Sequence, residues 1–131
     1  MAQIAPIYDD IHAVRASLWG QRLAREAGFS EVGCVAVGTA ILEVTRNIVR
    51  YAGRGTVSVY VVQSGEQVGI QVSATDNGPG IGDLTAALQD GYTTGGGLGH
   101  GLPGTKRLMD EFEIMSEPGA GTTITMTRWK S

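Results

Sequence analysis

Two runs of alternating apolar and polar residues constrain the fold of this chain more than any other feature of its sequence. They cover residues 57–61 and 68–75, and a QSGEQ segment containing a glycine joins them. In each run the apolar residues recur at every second position, which is the period of a β-strand with one buried face. The pair is therefore predicted to form an antiparallel hairpin whose apolar face other elements must cover.

Two helices are predicted before this hairpin. Asp9 or Asp10 can cap the first, which runs to about residue 27 and carries a partial apolar stripe of Ile11, Val14 and Leu18. The second begins at residues 30 and 31 and stops before the glycine at position 53. Its apolar residues have the spacing of a core helix: Val37, Ala40, Ile41, Val44, Ile48 and Tyr51.

After the hairpin, the patterns predict a short helix from about residue 83, a helix over about 103–111, and strands at 112–116 and 122–129. Grouped helices and sequential hairpins indicate an α+β fold, a two-layer α/β sandwich of a mostly antiparallel sheet with helices on one face. The 131 residues can bury one core, so we predict a single domain over residues 1–131.

Composition excludes several classes of function. The net charge is −3 and no basic run occurs, which argues against nucleic acid as a partner. The single cysteine, Cys34, lies in an apolar run and is predicted to be a small buried side chain in a reducing compartment. With no signal-like N-terminus and no run of 18 apolar residues, a cytoplasmic protein that does not span the membrane is expected.

The segment GYTTGGGLGHGLPGTKR at residues 91–107 contains six glycines between positions 95 and 104. Residues 99–104 fit the dinucleotide fingerprint G-x-G-x-x-G, but no strand precedes them and no βαβ unit surrounds them, so that interpretation fails. A flexible connection remains possible. Glycines before a helix N-terminus also allow backbone N–H groups to approach an anion, and phosphate binding is the favoured interpretation.

Two further groups of residues carry candidate chemistry. Glu43 and Asn47 lie one helical turn apart at the edge of the apolar stripe, where they could hold hydrated Mg²⁺ and polarise a hydroxyl, or merely form a solvated flank. Asp76 has the parity of the buried face of its strand and could accept a hydrogen bond from an amine. The alternative for Asp76 is an Asx turn in the segment DNGPG.

Glu43-x-x-x-Asn47, Asp76-x-Gly78-x-Gly80, the glycine-rich loop and the Gly-Thr-Thr at 121–123 together resemble the GHKL (Bergerat) ATP-binding fold. Histidine-kinase catalytic domains, heat-shock ATPases, gyrase-type ATPases and anti-sigma serine kinases share this fold. The segments EVTRNIVRYAGRG and GGLGHGLPGTKRLMDEFEI are similar to those of the switch serine/threonine kinases of bacterial stressosomes.

The resemblance implies a role for each motif. Glu43 would be the catalytic base and Asn47 a ligand of Mg²⁺ bridging the ATP phosphates. Asp76 would bind the adenine amino group with support from Thr122. The remaining nucleotide-binding residues implied are Gly78 and Gly80 near the base and, around the phosphates, Gly97, Leu98, Gly99, His100, Gly101 and Leu102. Residues 83–98 would be the ATP lid.

The implied function is an ATP- and Mg²⁺-dependent serine/threonine kinase that phosphorylates STAS-domain stressosome proteins. It would then switch partners to activate a PP2C-type phosphatase or another output enzyme. Related sporulation kinases carry a lid arginine that this chain lacks, so Lys106, Arg107 or a partner would have to supply that charge, or backbone amides and Mg²⁺ would suffice. The alternative is a nucleotide-binding, partner-switching module with little kinase activity.

Overall fold

The computed structural model describes residues 2–78, 101–117 and 119–130. Within these ranges, five strands form one antiparallel sheet in the order β1-β2-β3-β5-β4, and three α-helices accompany it. The elements are β1 (Ala2–Ile7), α1 (Asp10–Glu26), α2 (Glu31–Asn47), a π-helical turn (Ile48–Ala52), β2 (Gly55–Ser64), β3 (Gln67–Asp76), α3 (Gly101–Leu108), β4 (Glu111–Glu117) and β5 (Gly121–Trp129).

The predicted hairpin and the α+β class are confirmed. Strand β2 pairs with β3 around a turn in which Gly65 has φ +61°, and Val59 lies opposite Val72. The alternating residues of both strands are buried on the side that the helices cover, as the period of two requires. The predicted closing strands also exist, and β5 lies between β3 and β4.

The first strand was not predicted. Strand β1 pairs antiparallel with β2 at the edge of the sheet and buries Ala5 and Ile7 on the helical side. Its AQIAPI sequence is weak in strand-forming residues and contains Pro6, which is tolerated because an edge strand has one row of unpaired backbone groups. Pairing with β2, rather than local propensity, therefore stabilises this strand.

The predicted apolar stripe of α1 faces the wrong way. Asp9 caps the helix as expected, accepting a hydrogen bond from the Ile11 N–H at 3.1 Å, but Ile11 and Leu18 are 55% and 57% exposed. The buried face instead consists mostly of small residues: Ala13, Ala16, Ser17, Gly20, Leu23 and Ala24. Small side chains let α1 approach α2 closely, since a Cβ on Gly20 would collide with the Ile41 side chain.

Helix α2 is the core helix that its periodicity predicts. Val37, Ile41 and Val44 are buried in the core. By length and composition alone, Glu31–Ala52 is apolar enough to span a membrane, and its apolar residues are accounted for by this packing against the sheet and α1. The prediction for Tyr51 is wrong, because its side chain is 41% exposed. It lies in the π-helical turn, whose wider winding breaks the 3.6-residue period.

Helix α3 has Pro103 in its first turn, as predicted, but it ends at Leu108 instead of residue 111. The chain leaves the helix because Asp110 joins β5, where its N–H donates to the Thr127 carbonyl at 2.9 Å and its carboxylate accepts from the Trp129 N–H at 2.7 Å. The predicted helix from residue 83 and the lid over residues 83–98 lie outside the described residues.

Candidate functional site

Glu43 and Asn47 project from the same side of α2, about 6 Å apart along the helix axis. Both side chains are half-buried, whereas Thr39, Arg46 and Arg50 are exposed, which agrees with the placement predicted from the stripe. Neither Glu43 nor Asn47 hydrogen bonds to another side chain or to the backbone within the described residues. Their carboxylate and amide groups are therefore available to a ligand.

The π-helical turn connects this part of α2 to the end of the sheet. A Cβ on Gly55 would lie 2.9 Å from the Ile48 side chain and 3.2 Å from the Asp76 Cβ. Similarly, Gly78 lies under Ala52, which leaves no room for a Cβ. The turn therefore begins beside Asn47 and packs against the end of β3, so the structure brings the α2 motif and the Asp76 motif to the same end of the sheet.

A row of polar side chains crosses the inner face of the sheet at this end. Asp76 is the last residue of β3 and is paired with Thr122 of β5, which in turn is paired with Ser116 of β4. Residues that lie directly opposite each other on neighbouring strands point to the same face of the sheet, so all three side chains point to the helical side. The next inward-facing residues on the three strands, Ala74, Ile124 and Ile114, are apolar, and the polar row therefore marks a distinct site.

Asp76 is half-buried and its direction agrees with the parity prediction. One of its carboxylate oxygens, Oδ1, accepts a hydrogen bond from the Gly78 N–H at 2.9 Å, so the Asx turn that competed with the binding interpretation is formed. The second oxygen has no hydrogen-bond donor in the described part of the chain. The two interpretations are compatible, because the turn orients a carboxylate that still has an oxygen free to accept from an amine.

Ser116 is the residue of this row that the sequence reasoning missed. Its Oγ lies 2.8 Å from the Thr122 Oγ1, and it donates to the Gly121 carbonyl at 3.2 Å. The available signal was the same strand parity that identified Asp76. Positions 112, 114 and 116 alternate inward, and a serine follows Phe112 and Ile114 on the buried side.

Gly121 holds β5 close to Asp76. It has φ +94°, and a Cβ there would collide with the Asp76 carbonyl oxygen and lie 2.9 Å from the Asn77 Cα.

We expect Gly121→Ala to lower the free energy of unfolding by about 3 kcal/mol, since it adds a backbone collision to the unfavourable φ. Gly119→Ala is the matched control, with φ +81° and nothing within 4 Å, and should cost about 1 kcal/mol. Equal losses in urea unfolding would contradict this role of Gly121.

Helix α3 packs against α2, and Leu108 in its last turn shares a groove with Val35 and Thr39 of α2. Gly101 and Leu102 form the start of the helix, where free N–H groups favour an anion. The other predicted phosphate-side residues, Gly97, Leu98, Gly99 and His100, lie outside the described residues, as does Gly80.

The donor set suits Mg²⁺ held together with phosphates. No group of three or more His, Cys, Asp or Glu side chains converges within the described residues, so a cage made of protein ligands alone is absent there. Mg²⁺ commonly takes one or two protein oxygen ligands and completes its shell with water and substrate phosphates. The amide oxygen of Asn47, one turn from the Glu43 carboxylate, fits that arrangement.

A two-layer α+β fold with this polar row beside a helical carboxylate and amide defines an ATP-binding domain of the GHKL class. Residues 8–128 match the family model described as a histidine kinase-like ATPase domain, and the chain belongs to this family. ATP is therefore the nucleotide that the family uses. A mycobacterial sensor histidine kinase, MprB, shares the fold with a TM-score of 0.57 and 20% identity, over 98% of both chains.

Among curated proteins, the chain is 45% identical to the serine/threonine-protein kinase RsbT of Bacillus subtilis strain 168. The match covers 88% of this chain and 87% of that protein. It is also 30% identical to an anti-sigma F factor of Thermoanaerobacter sp. strain X514, over 71% of this chain and 68% of that protein. The predicted resemblance, fold class and kinase class of enzyme are confirmed.

Proposed function

We propose that this chain is an ATP- and Mg²⁺-dependent serine/threonine kinase of a stressosome, working in the cytoplasm as a single domain. Its phosphate acceptor is a STAS-domain protein. The observation that carries the proposal is similarity, along most of both chains, to a protein named as a serine/threonine kinase. Glu43 and Asn47 support it, because both side chains are half-buried at the edge of the core and neither has a hydrogen-bond partner within the described residues.

In the proposed reaction, the Glu43 carboxylate accepts the proton of the serine or threonine hydroxyl of the acceptor. The hydroxyl oxygen forms a bond to the γ-phosphorus while the bond to the bridging oxygen of ADP breaks. Asn47 would hold Mg²⁺, which neutralises charge on the phosphates. Asp76 and Thr122 bind the adenine, Gly78 and Gly80 line the base, and residues 97–102 bind the phosphates through backbone N–H groups.

We propose that Arg50 supplies the positive charge that a lid arginine supplies in related sporulation kinases. It lies in the π-helical turn that directly follows Asn47, and its exposed side chain is long enough to reach a phosphate bound beside that residue. Lys106 and Arg107 lie in the last turn of α3, about 8 Å along the axis from the end that would face the phosphates.

We therefore expect Arg50→Gln to slow phosphoryl transfer at saturating ATP by about ten-fold or more, through lost stabilisation of charge in the transition state. Lys106→Gln is the matched control and should change the rate less than about two-fold. A larger loss in the Lys106 variant than in the Arg50 variant would contradict the assignment.

Partner switching is supported by the anti-sigma F factor relatives and by apolar side chains on the surface. Ile11 and Leu18 of α1 and Val32 and Val35 of α2 are at least half exposed. Exposed apolar patches often mark protein interaction sites. In the proposal, the STAS-domain scaffold sequesters the kinase, phosphorylation releases it, and it then activates a PP2C-type phosphatase or another output enzyme.

The second candidate is a nucleotide-binding module that switches partners with little kinase activity. The exposed apolar surface and the absent lid arginine favour it. A mixing experiment separates the candidates: the chain and a STAS-domain protein are combined, Mg-ATP is added, and both complex formation and phosphate on the acceptor are followed. The kinase proposal expects phosphorylation followed by dissociation. Dissociation on ATP binding with an unmodified acceptor would support the module and contradict the kinase.

A further inference from the structure

One face of α2 is left uncovered by the described residues. Its exposed and half-buried positions recur every three or four residues, so their side chains form a single row opposite the buried face. In chain order this outer row of α2 contains Val32, Val35, Thr39, Glu43 and Arg46. Its first half is mostly apolar, the proposed catalytic base follows, and a basic side chain comes next.

A groove of about 390 Å³ lies along the apolar half of the outer row. Leu108 of α3 forms one wall, and residues of α2 form the other: Val32, Val35, Ala36 and Thr39. Glu31 lines the end that is farther from Glu43, where it is already paired with Arg25 at 2.7 Å. Thr39 lies one helical turn, about 6 Å, before Glu43. The groove therefore ends beside the proposed base.

We infer that this groove and the outer row of α2 form the docking surface for the acceptor segment that carries the phosphorylated hydroxyl. The inference rests on the proposed kinase function. A hydroxyl that reaches Glu43 brings the residues flanking it onto the neighbouring surface of α2. In one direction that surface is the groove, where Val35 lies eight residues, about 12 Å, from Glu43.

The size of the groove favours a substrate segment over a second copy of the chain. Six residues line it, whereas a stable protein–protein interface uses about 20–30 residues on each side. A contact of this size suits a substrate that has to dissociate after each turnover.

Arg46 adds a requirement of charge in the other direction along α2. It is exposed, lies three residues after Glu43, and forms no ion pair with another described residue. The acceptor segment is therefore expected to carry a carboxylate on one side of its hydroxyl and apolar side chains on the other. In an extended segment, 12 Å corresponds to about three or four residues.

The affinity of the proposed STAS-domain acceptor tests the surface, measured by calorimetry with Mg²⁺ and an ATP analogue whose γ-phosphate is not transferable. Val35→Ser should weaken acceptor binding about five-fold or more, because it removes apolar area from the groove. Val32→Ser, at a position that is 75% exposed, should act in the same direction if Val35→Ser does not fold. Met115→Ser, 71% exposed on the outer face of β4, is the matched control and should keep the wild-type affinity.

Arg46→Gln should weaken acceptor binding about three-fold, the scale of an exposed ion pair, and the loss should shrink as salt is added. Arg22→Gln removes an exposed arginine of α1 and is the matched control, with no expected effect on acceptor binding.

Phosphoryl transfer from Mg-ATP, measured separately, distinguishes the two proposals. If wild type binds and phosphorylates the acceptor while Val35→Ser and Arg46→Gln keep its affinity, the docking surface is overturned and the kinase function stands. If both variants weaken binding but wild type transfers no phosphate, the surface binds the protein and the kinase function fails. Absence of acceptor binding to wild type would overturn both. A wild-type dimer that Val35→Ser converts to a monomer in sedimentation would assign the groove to a second copy and overturn the inference.

Discussion

Glu43→Gln should reduce phosphoryl transfer to the proposed STAS-domain acceptor by about 100-fold or more, the scale of general base catalysis, while ATP affinity stays within about two-fold of wild type. Glutamine preserves the shape of the side chain and removes its ability to accept the proton of the hydroxyl. Because Glu43 makes no hydrogen bond within the described residues, the exchange breaks no contact of the fold there. The measurement combines the single-turnover rate with calorimetric ATP binding.

Glu31→Gln supplies the control for this substitution. Glu31 lies on the same helix but in its first turn, exposed and paired with Arg25 at 2.7 Å. The same chemical change at that position should leave the transfer rate unchanged. A Glu43→Gln variant that transfers phosphate at the wild-type rate would remove Glu43 as the base.

Asp76→Asn should weaken ATP binding by about ten-fold or more, as expected when a charge-assisted hydrogen bond is lost. The asparagine carbonyl can still accept from the Gly78 N–H, so the turn at the end of β3 should persist. Its NH₂ group replaces the free carboxylate oxygen and meets the adenine amino group donor to donor.

Thermal unfolding provides the check that Asp76→Asn acts on the ligand. The melting temperature without nucleotide should match wild type, while the increase on adding ATP should shrink, because ligand stabilisation depends on affinity. Full ATP affinity in the variant would show that Asp76 does not bind adenine.

Periodicity in the sequence predicted the parts of the fold in which one face of an element is uniformly apolar. The α2 stripe placed Glu43 and Asn47 at the edge of the core, and the parity of β3 directed Asp76 inward. Both inferences need only the repeat period of the helix or strand and one neighbouring residue that is buried. Specific roles for these residues came from resemblance to a family, since the pattern alone also allowed a solvated flank and an Asx turn.

Features that depend on tertiary packing were not predictable in this way. Helix α1 buries Ala16 and Gly20 and leaves Leu18 exposed, because close approach to α2 outweighs the burial of a larger side chain. Strand β1 depends on its pairing with β2. Ser116 was overlooked since its contact with Thr122 becomes visible only through the register of β4 and β5.

A kinase of this family should transfer phosphate from ATP to a protein hydroxyl. A single-turnover reaction measures this transfer with the wild-type chain, Mg-ATP labelled in the γ-phosphate and an excess of the proposed STAS-domain acceptor. We expect the label to appear on a serine or threonine of the acceptor, with ADP formed in equal amount. If the chain binds both ATP and the acceptor and the label stays on the nucleotide or is released only as inorganic phosphate, the kinase function proposed for this chain is wrong.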